Sequence, residues 1–344
     1  PGGPTNTPTN TPTPSWKNVG NARFSAGSVY GYSMDVYNGT PYVGYADDAN
    51  GSKATVMMYN GTGWTSVGNP GFSSSVIGET SLYIYNGIPY IAWNTDKAEV
   101  LKYTENNWNN VGTAGFSAGL LMHLSLYVYN GLPYLAYRDW ENELKCTVMT
   151  FDGTKWIAVG KPGFSKGVVQ DISLQVYGGI PYVACWDDGS NDIIVMKFDG
   201  TNWVSVDTTV FNGYTPSLYI DNDGTPYLAY NDRANGQKAT VKKFDGTNWV
   251  TVGTAGFSVG TVILSSRSLY VDDETPYLAY SDGANGQKAT VKKFDGTNWV
   301  TVGTVGFSGE PIGWSSLSVS NGIPYVCYVN DDGILKPTVM KFSN

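Results

Sequence analysis

TPYLAYNDRANGQKATVKKFDGTNWVTVGTAGFS, Thr225 to Ser258, returns at Thr275 to Ser308 with three substitutions. A near-copy this close downstream makes the chain a repeat protein, and looser copies can be traced along it. A Trp opens W-x-x-V at Trp16, Trp64, Trp108, Trp156, Trp203, Trp249 and Trp299. A Pro-Tyr pair recurs at Pro41, Pro89, Pro133, Pro181, Pro226, Pro276 and Pro324. Phe-Ser follows most Trp segments, at Phe24, Phe72, Phe116, Phe164, Phe257 and Phe307, and the fifth unit departs with VFNG around Phe211.

Each unit holds four short β signals of the types SLYVYNG, PYLAYxD, KATVKKFDG and WVTVG. Asn-Gly before the Pro-Tyr strand is a two-residue hairpin turn, since both residues tolerate positive φ, and Asp-Gly-Thr before the Trp serves similarly. The unit is therefore a four-stranded antiparallel meander. Its strands carry large side chains on both alternations, as in Leu269 and Val271 against Tyr270, which suits a sheet covered on both faces. Seven such sheets are best satisfied by radial stacking, so an all-β, seven-bladed β-propeller is expected over residues 15–344. The blades fall at about 28–67, 76–111, 120–159, 168–206, 213–252, 262–302 and 312–343 plus 15–19. The lone WKNV strand, Trp16 to Val19, is expected to complete the last blade and clasp the ring. The widening gaps between blades call for large fillers, which the repeated Trp and Tyr supply.

Glycine and aromatic residues are plentiful and helical periodicity is missing, in keeping with an all-β chain. The net charge is −8 and the lysines sit mostly in one repeated strand, so no basic stripe is present to track phosphates and nucleic acid is not an expected partner. No apolar run has the length of a membrane span, and no leader is visible. Cys146, Cys185 and Cys327 lack CxxC or Cys/His spacing and read as small buried fillers.

Residues 1–14, PGGPTNTPTNTPTP, form an extended, solvated linker with nothing to bury. This segment resembles the Thr-Pro linkers of multimodular proteins secreted by cellulose-degrading anaerobic bacteria. The resemblance implies an upstream module and a secreted or cell-surface setting, and the domain is expected to be a monomer. The repeat length is close to that of WD40 and kelch blades, but the GH, WD and paired-glycine signatures are absent. The DGTxW turn is similar to the Asp box of sialidases, yet lacks the residue between Asp and Gly at Asp152-Gly153 and Asp245-Gly246. A sialidase's arginine cluster would have only Arg23, Arg138, Arg233 and Arg267 to draw on. The W-x-x-V-G units resemble the Trp-containing blades of tectonin-type and related bacterial propeller lectins. That likeness implies a propeller and a carbohydrate ligand.

Antiparallel strands send successive loops to alternate ends, so both long connections of every unit share one face, which is the expected binding surface. Residues that fold the scaffold should repeat, so breaks in the repeat carry the functional signal. Trp93, Trp140, Trp186 and Trp314 lie outside the repeated Trp position. Trp93 replaces the Tyr of PYLAY and belongs in the core. Trp140, Trp186 and Trp314 are candidate platforms for a sugar ring, because an indole face is flat, rigid and apolar. One position beside the inner strand gives Glu79, His123, Asp171, Thr215, Ser266 and Trp314 in successive units, with Tyr30, Tyr214 and Arg267 close by. These residues are expected at the channel mouth, where they suit either a glycan or a peptide.

His123 is the only histidine, and Asp171 stands one blade away to orient it. No Gly-x-Ser-x-Gly elbow or other catalytic constellation accompanies them. A glycosidase pairing of Glu79 with Asp171 is a third reading, behind a non-catalytic carbohydrate-binding module and a protein-interaction or sensing ectodomain. The repeated Asp47, Asp139, Asp187, Asp232 and Asp282 are expected to cap the turns that follow them. No cofactor is required; calcium has one candidate loop, with Asp187, Asp188, Asn191 and Asp192.

Overall fold

The computed structural model describes residues 13–344. The linker expected over residues 1–14 lies outside them except for Thr13 and Pro14. The chain is a ring of seven antiparallel sheets around a central channel. Blade four shows the pattern: Val169–Tyr177 lines the channel, and Ile180–Asp187, Asp192–Phe198 and Trp203–Ser205 follow outward, each paired with the one before. In six of the seven blades the first hairpin turn has both residues left-handed, as at Asn38 (φ 48) and Gly39 (φ 76), which is the geometry that Asn-Gly favours, while blade five has only Gly224 so placed. The second turn differs from this. Asp152 Oδ1 accepts from the amides of Thr154 and Lys155, both at 2.8 Å, so a side-chain cap shapes the DGT turn.

The apolar core is divided into seven layers, one between each pair of neighbouring blades. A Trp stands at the rim of each layer, and in all but one it clamps the preceding blade. Its Nε1 donates to the Val carbonyl ending that blade's outer strand at 2.7–2.8 Å, in six of the seven layers. In the same six layers its ring stacks on the Phe of Phe-Ser, with centroids 3.9–4.4 Å apart. The Ser after that Phe accepts from the third strand, as Ser73 does from Ala54 N at 3.0 Å, and donates to the loop ahead. These contacts account for the Trp and Phe-Ser landmarks.

Near the channel, at five of the seven seams, a Ser on one inner strand accepts the Leu amide of the next. The bonds from Leu82 to Ser33, Leu126 to Ser81, Leu174 to Ser125, Leu218 to Ser173 and Leu269 to Ser217 span 2.8–3.1 Å. The repeated Asp caps the backbone of the turn beyond the second strand in four of its five copies, as Asp47 does in accepting from Ala49 N, Asn50 Nδ2 and Thr55 Oγ1, whereas Asp232 accepts only from the Asn235 and Thr240 side chains. Asp187 in blade four accepts instead from Gly167 N and Ser190 N at 3.0 and 3.1 Å, which ties the carboxylate of the calcium-candidate loop to backbone. Trp93 is 1% exposed and sits in the core, and the three cysteines are buried and unpaired, with thiols pushed up by burial. Among the described residues no helix is long and apolar enough to cross a membrane.

Ser15–Asn18 pairs with Pro337–Ser343 and completes blade seven. Trp16 then makes the same clamp as the internal copies, onto Val302 O at 2.8 Å and Phe307 at 4.0 Å. Ring closure therefore uses the ordinary inter-blade contact. Trp16→Ala is expected to cost about 3 kcal/mol, as for other large-to-Ala core changes. Deleting residues 1–20 should lower the melting temperature further. Unchanged thermal melts for both variants would show that the ring does not depend on this strand.

Candidate functional site

The channel mouth on the long-loop face is shaped by bulges in the inner strands. The pairing register slips between Tyr30 and Ser33, Met122 and Ser125, Gln170 and Ser173, Tyr214 and Ser217, and Ile312 and Ser315. A bulge re-aims the extra side chain out of the strand's alternation. Gly31, His123, Asp171 and Thr215 occupy that position in left-handed conformation, at φ 50, 47, 50 and 54. This is ordinary for glycine, but strained for a β-branched residue such as Thr215. Blade one needs its glycine: a Cβ on Gly31 would lie 2.5 Å from Gly78 O and from Glu79 Cα.

Blade six is built differently. From Val262 to Leu269 the inner path takes 269 − 262 = 7 steps, against 174 − 169 = 5 from Val169 to Leu174 at the same two pairings. The two extra residues break the strand into Val262–Ile263 and Leu269–Asp272 and leave Ser265–Ser268 as a turn in the channel. Arg267 therefore projects where the other blades have only strand.

The non-repeated positions do converge. Glu79, His123, Asp171, Thr215, Ser266, Arg267 and Trp314 line one pocket of about 260 Å³, joined by Gly31, Tyr32 and Thr80. Trp314 is 50% exposed, and Tyr32 supports it. Their rings lie 6.1 Å apart at 16°, and the Tyr32 hydroxyl donates to Trp314 O at 2.6 Å. A flat apolar surface thus stands at one side of the pocket. His123 Nδ1 lies 4.0 Å from Glu79 Oε1 on the other side. Burial raises the Asp171 carboxyl above its usual range; His123 and Arg138 pull it down, while Glu79 pushes it up. The site thus presents carboxylates, an imidazole, a guanidinium and an indole face.

Other expected site residues lie outside this pocket. Trp186 is half-buried, 6.4 Å from Tyr214, with the Arg233 guanidinium 5.8 Å from the Trp186 ring and 5.1 Å from the Tyr214 ring. These three form a cation-π cluster on the seam between blades four and five. Trp140 is 54% exposed on its own short turn, Trp140–Asn142, and Tyr30 is 49% exposed beside Gly31. Neither lines the pocket. Tyr32 and Gly31 were not singled out by the repeat comparison. The signal for Tyr32 is a lone aromatic where the other blades have Thr80, Leu124, Ile172, Pro216 and Ser315.

Arg267 also forms the floor of the mouth. Beneath it a second cavity of about 350 Å³ runs toward the short-turn face, lined by Asp35, Tyr83, Tyr127, Gln175, Tyr219, Tyr270 and Ser318 among others. These seven side chains are the blades' equivalent inner-strand positions. Asp35 accepts from Val36 N at 2.8 Å and Ile84 N at 2.7 Å. Although it borders the lumen, it is closely surrounded by protein. Burial raises its carboxyl to about 6, against the backbone amides and Arg267, which pull it down.

No protein-family model matches the chain, and neither does any curated protein. Among solved structures, the chain is similar to the polysaccharide lyase Uly1, with a TM-score of 0.56 and 11% identity over 99% of this chain and 94% of that one. It is similar to the Trypanosoma rangeli sialidase in complex with the inhibitor DANA, with a TM-score of 0.52 and 11% identity over 96% of this chain. The chain spans 60% of the sialidase's length. A mutant of AofleA from Arthrobotrys oligospora gives a TM-score of 0.52 at 8% identity, over 87% of this chain and 93% of that one. At these identities the likeness is one of fold.

Two measurements check this geometry. Thr215→Gly should relieve left-handed strain of about 1–2 kcal/mol, partly offset by glycine's entropy of about 0.5–1 kcal/mol. The variant is expected to unfold at slightly higher denaturant, whereas Thr215→Ala should show no such gain; equal midpoints would remove the strain assignment. Asp35 binds its proton more tightly folded than unfolded, so its contribution is present below pH 4 and is lost as pH rises through about 6. At about 1.4 kcal/mol per pKa unit this amounts to at most about 3 kcal/mol. Asp35→Asn should remove that part of the stability loss between pH 4 and pH 7, and parallel pH profiles for the two proteins would contradict it.

Proposed function

We infer that the protein is a non-catalytic carbohydrate-binding module whose site is the channel mouth on the long-loop face. One observation carries the reading. Residues that differ from blade to blade meet in a single pocket, where the exposed Trp314 indole, held by Tyr32, faces Glu79, His123 and Asp171. A sugar ring needs both parts: a flat apolar surface for its C–H face and a few fixed donors and acceptors for its hydroxyls. The fold likeness to a sialidase and to a polysaccharide lyase, whose names refer to carbohydrates, supports this ligand class. The reading includes an extracellular setting, with the Thr/Pro stretch as a tether. A glycan-cleaving enzyme is the second reading. It is favoured by the raised Asp171 carboxyl beside Glu79 and His123.

Glycan-array binding by wild type, Trp314→Ala, Asp171→Asn and Trp140→Ala separates these possibilities. Wild type is expected to bind a subset of glycans, Trp314→Ala and Asp171→Asn to lose about tenfold or more in affinity, and Trp140→Ala to match wild type. No bound glycan, or equal binding by all four proteins, would defeat the reading. Release of new reducing ends from a polysaccharide panel, abolished by Asp171→Asn, would replace it with the enzyme.

A further inference from the structure

Arg267 divides the channel, and the half below it has the makings of a site of its own. It faces the short-turn side, with Tyr177, Asp221 and Asn222 at its opening, and shares Ser266 and Arg267 with the mouth pocket. Its volume of about 350 Å³ lies within the range of small-molecule sites, about 300–1,000 Å³. Four tyrosines line it in two pairs, Tyr83 with Tyr127 and Tyr219 with Tyr270, each with centroids 4.7 Å apart. Gln175, Ser318 and Asp35 fill the remaining equivalent positions, so every blade contributes a group able to hydrogen-bond.

The two charged groups define what such a cavity can hold. Arg267 Nη2 donates to Ser81 Oγ at 2.6 Å, the only hydrogen bond from the guanidinium to a partner among the described residues. A guanidinium has five N–H donors, and those that Ser81 does not take are open to the cavity that Arg267 lines. Asp35 keeps acceptor capacity beyond its two backbone amides. The Arg267 and Asp35 charges influence each other, yet they form no ion pair, their charged atoms being more than 4.0 Å apart. Both groups line the same cavity, with unused donors on one and unused acceptors on the other. The insertion that puts Arg267 here interrupts an otherwise continuous inner strand, a departure found in no other blade.

A group that satisfies both must accept from Arg267 and donate to Asp35 without adding net charge to a pair that is already balanced. Adjacent hydroxyls of a polyol do this, one oxygen accepting while its neighbour donates. Tyrosine faces would cover the C–H surface, and the Gln175 amide and tyrosine hydroxyls would meet the remaining hydroxyls. We propose that the lumen below Arg267 is a second binding site, taking a neutral polyol of monosaccharide size whose adjacent hydroxyls bridge Arg267 and Asp35. The site does not require an occupied mouth, although the two pockets share Ser266 and Arg267.

The test is saturation-transfer NMR and titration calorimetry on the full 344-residue chain with a panel of neutral aldohexoses and aldopentoses. Free amino acids, which carry both charges, form a parallel panel. The variants are Asp35→Asn, Gln175→Ala, Ser318→Phe, which fills the lumen, and Trp314→Ala, which alters only the mouth. At least one sugar should bind wild type and Trp314→Ala equally. Asp35→Asn should weaken it about tenfold, as expected for one charge-assisted hydrogen bond; Gln175→Ala should weaken it less, and Ser318→Phe should abolish it. Thermal melts identify any variant that fails to fold, and Gln175→Ala, which removes lumen contacts without filling space, then decides in place of Ser318→Phe. The proposal is overturned if no sugar binds, if binding survives both Ser318→Phe and Gln175→Ala unchanged, if Trp314→Ala abolishes it, or if only amino acids bind.

Discussion

Six of the seven layers of the ring depend on a Trp that clasps the blade before it. The indole supplies three things at once: area to fill a gap that widens outward, a flat face for the neighbouring Phe, and one N–H for a Val carbonyl that ends a strand. The stacks are nearly coplanar, at no more than 10° in all six copies. Such a pair contributes about 0.5–1.5 kcal/mol beyond burial, and the hydrogen bond about 1 kcal/mol. No single clamp is large compared with the stability of a domain. Their effect comes from closure, because in a ring each blade is held on both sides, and an open seam would expose two apolar sheet faces.

With the rim and the inner-strand serines holding the blades, the tops of the inner strands are free to depart from regular pairing. That freedom is where the mouth arises. Left-handed residues at His123, Asp171 and Thr215 and the broken strand of blade six would each weaken an isolated sheet. In the ring they are bounded below by the Ser-to-amide bonds between neighbouring blades. At the seam from blade six to blade seven, Leu317 N donates to Arg267 O at 2.9 Å, so the inserted turn takes over the linking role of the serine as well as closing the channel.

This division explains what could be read from the sequence. The blade count, the strand order, the closing strand, the core Trp93 and the turn-capping Asp47 and its equivalents follow from residues that recur, because each copy repeats the same local chemistry. Five of the six expected ring positions, Glu79, His123, Asp171, Thr215 and Trp314, follow from counting along the inner strand, because each stands two residues before the inner-strand serine of its blade. Counting is ambiguous in blade six, where a two-residue insertion is invisible until pairing is known; it gave Ser266 a place in the ring but could not show Arg267 as the channel's floor. Tyr32 and Asp35 were missed because they stand at strand positions that look structural in the other blades. Trp140 has the same composition signal as Trp314, and only the fold separates them, since one indole lies on an isolated turn and the other at the channel mouth.

The fifth unit shows what happens where the template fails. It lacks Phe-Ser, so Phe211 meets Trp249 edge-on, at 88°, and the Trp249 Nε1 is buried without a partner. Phe211 pairs instead with Ile193 of blade four through an isolated bridge. The rim of this seam is therefore held by one fewer hydrogen bond and a poorer stack than the others. Nearer the channel the same seam carries Arg233 over Trp186 and Tyr214, and Arg233 Nη1 donates to Asn191 O at 2.8 Å. Blade six has Gly283 in place of this arginine. The seam that has lost its rim clamp is thus held by a cation-π cluster on the long-loop face, and this gives Trp186 and Tyr214 a structural reason to be there that does not require a ligand.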